Sequence, residues 1–348
     1  MQLPFKYSLL FLSLCLFSFS CTNGENAKVV EEQSAVPQEA PAYAMVIHGG
    51  AGTIKKENMT DEKYKQYYSA LDSALIIGEA VLKAGGSSLD AIEKTIRFME
   101  DCPLFNAGKG AVFTNAGTNE LDASIMLGKD RNAGAVGGIT NVMHPISAAR
   151  AVMEQSEHVM MVGKGAEEFS EAKGLELVDS EYFKTEARWN SLQKILDKEK
   201  VTGSISDAQD SKYGTVGAVA LDKAGNIAAG TSTGGMTNKR FNRIGDSPII
   251  GAGTFADNVT CGVSCTGHGE YFIRYAVAYD VAARMEYKSE DVDVAANYII
   301  HEKLVEANGS GGLIALDTKG NVSMPFNTEG MYRGYIKPNE KIIKMYKD

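Results

Sequence analysis

Three threonines, an arginine and an aspartate stand out in this 348-residue chain, because their side chains could act on one small molecule. Thr215 follows Gly214 at the head of an apolar run, Thr233 lies in Thr231-Ser232-Thr233-Gly234-Gly235, and Thr266 precedes Gly267 after a second apolar run. A threonine hydroxyl is a poor nucleophile until a base takes its proton. Arg243 offers a planar fork to a carboxylate and Asp246 a partner to an ammonium, so together they suit the two ends of a free amino-acid unit. Taken singly, each has an ordinary reading: a β-branched residue starting a strand, an exposed Arg–Asp pair, and a turn at His48-Gly49-Gly50-Ala51-Gly52. No HExxH, CxxC pair or P-loop occurs and the five His are scattered, so zinc and nucleotide chemistry have no support.

Only the joint arrangement changes these readings. His48-Gly-Gly-Ala-Gly is followed by Asp101-Cys-Pro-Leu-Phe-Asn-Ala-Gly, Gly110-Ala-Val-Phe-Thr, Glu120-Leu-Asp-Ala and Gly134-Ala-Val. Then come Gly214-Thr-Val-Gly-Ala-Val, Thr231-Ser-Thr-Gly-Gly-Met-Thr-Asn-Lys, Arg243-Ile-Gly-Asp-Ser-Pro, Ser264-Cys-Thr-Gly and Pro325-Phe-Asn-Thr-Glu-Gly-Met. In this order the motifs resemble the plant-type asparaginase and isoaspartyl peptidase family of N-terminal nucleophile hydrolases, over nearly the whole domain.

The resemblance implies an α+β fold, a four-layer αββα sandwich that cuts itself between Gly214 and Thr215 into an α chain and a β chain of residues 215–348. The chemistry agrees: an α-amine with pKa near ~7.7–8.0 can serve as base, but Thr215 owns one only after that bond is broken. Gly214, lacking Cβ, can take the strained conformation that exposes its carbonyl to the Thr215 hydroxyl. By resemblance Thr233 orients the nucleophile, Thr266 and Gly267 line the oxyanion hole, and Asn106 faces the nucleophile with Arg243 and Asp246 as substrate anchors. Asparagine and an isoaspartyl linkage both leave the α-amine and α-carboxylate free, so one site can cut either amide, in a small molecule or a dipeptide. The family also holds a structural sodium ion on backbone carbonyls, which map here to Met99, Glu100, Cys102, Phe105, Ala107 and Lys109; no cofactor is expected for catalysis. A dimer of αβ heterodimers is implied as well. His268 stands where many relatives carry a small polar residue. Two other readings stay open: a glycosylasparaginase, with the same fold and nucleophile, and a binding lipoprotein on a dead hydrolase scaffold.

The elements that must position these residues are legible in outline. Thr60 caps a helix with Tyr64, Tyr68, Leu71, Leu75 and Leu82 on one face, stopped by Gly85-Gly86; Ser87 opens a second with Leu89, Ile92, Ile96 and Met99 in register. Helices are expected over 145–155, 164–173, 186–200, 269–287 and 289–307, strands over 158–162, 213–221 and 259–265, and hairpins over 220–230 and 315–325. The polar stretch 201–212 reads as an exposed loop leading into a buried strand. With 44% hydrophobic and 23% charged residues the chain has ample core, and a net charge of −9 without any Lys/Arg run argues against nucleic acid. Residues 1–20 read as an export signal, and Ser20 before Cys21 resembles a lipobox. The expected address is therefore a periplasmic or cell-envelope lipoprotein, or else a secreted soluble protein, with membrane contact only through lipid on Cys21. Residues 23–43 read as a tether, with a single domain from Ala44 to the end. Of the cysteines in that domain, Cys261 and Cys265 share a strand too far apart to bridge each other.

Overall fold

In the computed structural model of the protein, residues 42–202 and 214–347 are described. The chain enters as β1 (Ala44–Gly52), followed by α1 (Asp61–Lys83) and α2 (Ser88–Asp101). Both helices begin at the expected caps: Thr60 Oγ1 accepts the Lys63 N–H at 3.3 Å and Ser87 Oγ that of Asp90 at 3.1 Å, satisfying first-turn donors that would otherwise lack a partner. The expected apolar face of α2 is buried throughout. On α1, Leu71, Leu75 and Leu82 are buried, whereas Tyr64 and Tyr68 stay exposed and stack on each other.

Next come β2 (Leu121–Leu127), β3 (Ala133–Ile139), α3 (Pro145–Gln155), β4 (Met160–Val162), α4 (Gly163–Ala172) and α5 (Glu186–Thr202). The loop expected over 201–212 lies, from residue 203, outside the described residues. The chain continues with β5 (Val216–Leu221), β6 (Ile227–Thr233), β7 (Thr254–Ala256), β8 (Cys261–Gly267), α6 (Gly269–Arg274) and α7 (Val277–Lys288). It ends with α8 (Val292–Tyr298), α9 (Leu304–Glu306), β9 (Gly311–Asp317), β10 (Val322–Ser323), β11 (Gly330–Lys337) and β12 (Glu340–Tyr346). The single helix expected over 269–287 is two, because Ala276 takes a left-handed φ of +46° between them. The one expected over 289–307 runs through, with a π turn at Ile299–Lys303 joining α8 to α9.

The strands form two sheets, one of eight strands in the order β12-β11-β1-β5-β6-β2-β3-β4 and one of four in the order β10-β9-β8-β7. Only β3–β4 is parallel among these pairings. Strand alternation then sorts the core. Met45 and Ile47 of β1, with Val216, Ala218 and Ala220 of β5, join the cluster built by α1, α2 and α3. Their neighbours Ala44, Val46, Val219 and Leu221 join Val263, Cys265, Leu313 and Ala315 of the smaller sheet, with Val281 and Ala295 from α7 and α8. A strand covered on both faces must read as a nearly continuous apolar run, which is how residues 215–221 read. Cys102, Cys261 and Cys265 are all free, the last two buried on β8.

Ile96 of α2 sits fully buried against β6, where glycine at 230 leaves it room. Ile96→Ala should therefore destabilise the protein by roughly 2–5 kcal/mol, seen as a lower urea midpoint at unchanged m-value.

Candidate active site

One face of the eight-stranded sheet carries the candidate chemistry, and alternation explains why. Counting in twos from Val219 in β5 leads through Gly217 to Thr215; from Ala229 in β6 it leads through Thr231 to Thr233; from Val46 in β1 it leads to His48. All three rows start on the side that packs against the smaller sheet. Pairing completes the alignment, with His48 opposite Gly217 and Gly217 opposite Thr231.

Thr215 is buried, and its hydroxyl donates to Thr233 Oγ1 at 3.1 Å; that oxygen also accepts the Gly235 N–H at 3.0 Å. The Thr215 carbonyl is held by His48 Nδ1 at 3.1 Å, so Nδ1 carries the proton and Nε2 accepts from Ser264 Oγ at 3.0 Å. Ser264 Oγ lies 2.7 Å from Thr231 Oγ1, which lies 2.5 Å from Thr254 Oγ1, which lies 2.8 Å from Ser124 Oγ. Burial pushes the His48 imidazole down to about 3, so it is neutral. This run passes over Gly217: a Cβ there would stand 2.0 Å from Ser264 Oγ and 2.4 Å from His48 Nε2. The stretch from His48 to Gly52, expected to be a turn, continues β1 with a bulge between His48 and Ala51. A Cβ on Gly50, at φ +108°, would stand 2.5 Å from Gly214 Cα, so only glycine lets the backbones come this close.

The loop between β6 and β7 brings Arg243 and Asp246 to the same place. A cavity of only about 10 Å³ is lined by Gly214, Thr215, Thr233, Arg243, Asp246 and Gly267. The pair is not the exposed one of the plain reading: Asp246 is buried, and Arg243 is largely so. Arg243 Nε and Nη2 donate to the two oxygens of Glu270, each at 2.8 Å, which leaves Nη1 clear of that pair. Asp246 Oδ2 has no hydrogen-bond partner among the described residues. Burial lifts the Asp246 carboxyl to about 7, against the pull of Arg243. His268 Nε2 lies 3.2 Å from Glu270 Oε2, so this departure from the common pattern meets the residue that holds Arg243. Despite burial, His268 and Arg243 keep Glu270 well below the usual carboxylate range.

The other expected residues are placed as follows. Thr266 Oγ1 accepts the Ala51 N–H at 3.3 Å, tying the end of β8 to the β1 bulge. Asn106 Nδ2 donates to the Gly235 carbonyl at 2.7 Å and its Oδ1 accepts from the Val112 N–H at 2.9 Å, while a Cβ on Gly214 would meet Asn106 Cβ at 3.1 Å. Asn106 thus abuts Gly214 and braces the loop after Thr233. The carbonyl loop follows α2: the Met99 and Cys102 carbonyls accept the Cys102 and Phe105 N–H groups at 3.3 Å, and that of Ala107 accepts the Gly110 N–H at 3.1 Å. Lys109 lies over the Tyr182 ring. These carbonyls lie at or just past the C-terminal end of α2, the negative end of its dipole. The Glu100 side chain points into the core, where Oε1 accepts from Ser232 Oγ at 2.6 Å and from the Ile146 N–H at 3.0 Å, and burial lifts its pKa to about 8. Among the described residues no His/Cys/Asp/Glu cluster could hold a metal ion. His48, Ser264, Glu270 and the Glu100 carboxyl were not singled out by the residue types alone; alternation along β1 was the available signal for His48.

Two glycine replacements test this packing. Gly217→Ala should destabilise the protein by about 1–3 kcal/mol, because the polar run over it cannot give way cheaply. Gly165→Ala, in α4 with nothing within 4 Å of the new Cβ, should stabilise by about 0.4–1 kcal/mol. Equal thermal shifts in the two variants would contradict the placement of His48 and Ser264.

Comparison with known proteins converges on one family. A family model described as asparaginase matches residues 41–345. The chain is 50% identical over 297 residues to the isoaspartyl peptidase of Escherichia coli (strain K12), covering 84% of this chain and 92% of that enzyme. It is 42% identical over 313 residues to a probable isoaspartyl peptidase/L-asparaginase 2 of Arabidopsis thaliana, and 42% over 301 residues to the plant-type L-asparaginase of Pyrococcus horikoshii. Those matches cover 84% of this chain each and 95% and 96% of the two relatives. Hydrolases of this family need no catalytic cofactor. The comparisons overturn the expected address: the relatives from E. coli, Salmonella, Arabidopsis and Pyrococcus horikoshii are named as isoaspartyl peptidases or L-asparaginases and none of these as a lipoprotein. The matched region begins at residue 41, so the expected export signal over 1–20 and the expected lipid site at Cys21 lie outside it and outside the described residues. With a family model across the folded region and relatives at up to half identity along most of their length, the chain belongs to the asparaginase family, whose members have the N-terminal nucleophile hydrolase fold.

Proposed function

We propose that this protein is an isoaspartyl peptidase and L-asparaginase that acts through Thr215 after cutting itself at Gly214–Thr215. One observation carries the reading: the Thr215 hydroxyl, the Arg243 fork and a buried Asp246 oxygen without a partner line one cavity. That cavity, about 10 Å³, barely holds a water while Gly214 is in place, so release of the α-chain end is what admits substrate. The names of the E. coli and Arabidopsis relatives agree with the activity. Helices on the outer faces of two packed sheets support the four-layer αββα sandwich, and the contacts that group residues 40–348 support a single domain from Ala44. We read the carbonyl loop of residues 99–109 as the holder of a sodium ion that stiffens the floor beside Asn106, and the assembly as a dimer of αβ heterodimers by family likeness.

The chemistry follows from the groups present. Arg243 takes the substrate α-carboxylate and Asp246 the α-ammonium, which puts the side-chain amide over Thr215. The Thr215 amine accepts the hydroxyl proton as Oγ attacks, and the tetrahedral oxyanion is met by Thr266 and Gly267. The amine's proton passes to the departing nitrogen, and water then cleaves the ester. Thr233 aims Oγ throughout, while His48 fixes the Thr215 carbonyl.

Denaturing gels of purified protein should show two chains, and Thr215→Ala a single one. Wild-type protein that stays intact yet hydrolyses β-aspartyl peptides would remove Thr215 from its role. In Arg243→Leu, a charged hydrogen bond worth about 1.5–3 kcal/mol is lost, so kcat/KM should fall roughly tenfold or more while self-cleavage continues. Asp246 must be ionised to bind an ammonium, so kcat/KM for L-asparagine should rise with pH through about 7. In the substrate complex the ammonium keeps Asp246 charged, so that limb should be absent from kcat, where only the Thr215 amine near ~7.7 remains. A kcat profile carrying the same limb near 7 would contradict the assignment of Asp246.

A further inference from the structure

Gly214 lines two cavities. One is the small cavity of Thr215, Arg243 and Asp246; the other is a larger one of about 220 Å³, which Asn106 also lines. The proposed function puts the aspartyl unit of the substrate in the first. Whatever leaves from the far side of the scissile amide then emerges where Gly214 now stands, facing the second.

The second cavity has a marked chemistry. Lys55, Lys63 and Arg188 line it, and no acid among the described residues does. Lys55 is neutralised by Glu329 at 2.7 Å, but no carboxylate among the described residues pairs with Lys63 or Arg188. Arg188 is held in place from behind, Nε donating to the Gly110 carbonyl at 2.8 Å and Nη2 to that of Leu104 at 3.2 Å. Two neutral carbonyls orient a guanidinium without cancelling its charge. The Tyr67 and Tyr332 rings, stacked with centroids 4.1 Å apart, provide an apolar wall.

Asparagine releases ammonia, which needs none of this. A β-aspartyl dipeptide releases a whole amino acid, whose carboxylate stands two bonds from the departing nitrogen. We infer that this cavity is a subsite for the leaving residue of β-aspartyl dipeptides, with Arg188 and Lys63 gripping its free carboxylate and the tyrosine pair receiving its side chain. The inference rests on the proposed roles of Thr215, Arg243 and Asp246. A longer peptide would present an uncharged amide to the same two cations. The carboxylate that self-cleavage creates on Gly214 is the other source of such a group, and the substrate comparison separates the two.

The test measures kcat/KM of the fully processed enzyme for β-aspartyl-leucine, for its C-terminal amide and for L-asparagine. The free acid should exceed its amide roughly tenfold or more, the size expected of a charged hydrogen bond. Lys63→Met, on the exposed side of α1, and Arg188→Met should each narrow that acid-to-amide ratio. Because the readout is a ratio within one variant, a general loss of activity through disturbance of the Gly110 and Leu104 carbonyls cancels. Equal rates for acid and amide in the wild type would overturn the subsite and leave the cations to the Gly214 terminus. An unchanged ratio in both variants would overturn it too. Failure on L-asparagine as well as on both dipeptides would instead overturn the function on which it rests.

Discussion

The hydrogen bond from His48 to the Thr215 carbonyl is the contact on which the site's geometry depends. It lies between two sheets, where water is excluded and an unpaired hydroxyl or imidazole costs about 1–3 kcal/mol. The run from His48 through Ser264, Thr231 and Thr254 to Ser124 gives each of these buried groups a partner, and it crosses β1, β8, β6, β7 and β2. A polar network in such a setting is rigid because any break leaves a group unsatisfied. The residue it terminates on is the proposed nucleophile: Thr215 is fixed by its carbonyl at one end of the network and by Thr233 at its hydroxyl.

The proposed binding groups are arranged on a different principle. The backbone of the β6–β7 loop does not fix the Arg243 fork by itself; Glu270, from the first turn of α6, grips its Nε and Nη2 edge. Arg243 is thereby oriented before any ligand arrives, which reduces the ordering that binding must impose. Asp246 is the counterpart, a carboxyl left with one oxygen unmatched in a buried setting, a state that disfavours its charge until a cation comes.

Much of this was legible in the sequence, and what was not has physical causes. Apolar periodicity and cap residues located α1, α2, α3 and the β5–β6 hairpin, because each buries one continuous stripe or face. The hairpin of β11 and β12 escaped notice: its apolar residues are interrupted by glycine, arginine and lysine, and β12 is the sheet's edge strand, with Glu340, Lys341 and Lys344 exposed. Tyr64 and Tyr68 fitted the helical stripe of α1 yet stack outside, since periodicity gives the face and not how far the covering sheet extends. Thr215, Arg243 and Asp246 could be named from their motifs. Glu270 could not, because its part depends on α6 turning back over the β6–β7 loop, a long-range contact that no local pattern encodes.

The strand order has a consequence for the proposed cut at Gly214–Thr215. Reading across the large sheet, β12 and β11 come from after Gly214, β1 from before it, β5 and β6 from after, and β2, β3 and β4 from before. The two pieces are thus interleaved, with β1 paired on both edges by strands of the other piece. No peptide bond is needed to keep them together once folded, but neither piece can complete the sheet alone. Unfolding the cut protein would release two molecules where the intact one releases one, so its midpoint would fall on dilution and its refolding would become a bimolecular search. The proposed break would thus make reassembly depend on how often the two pieces meet.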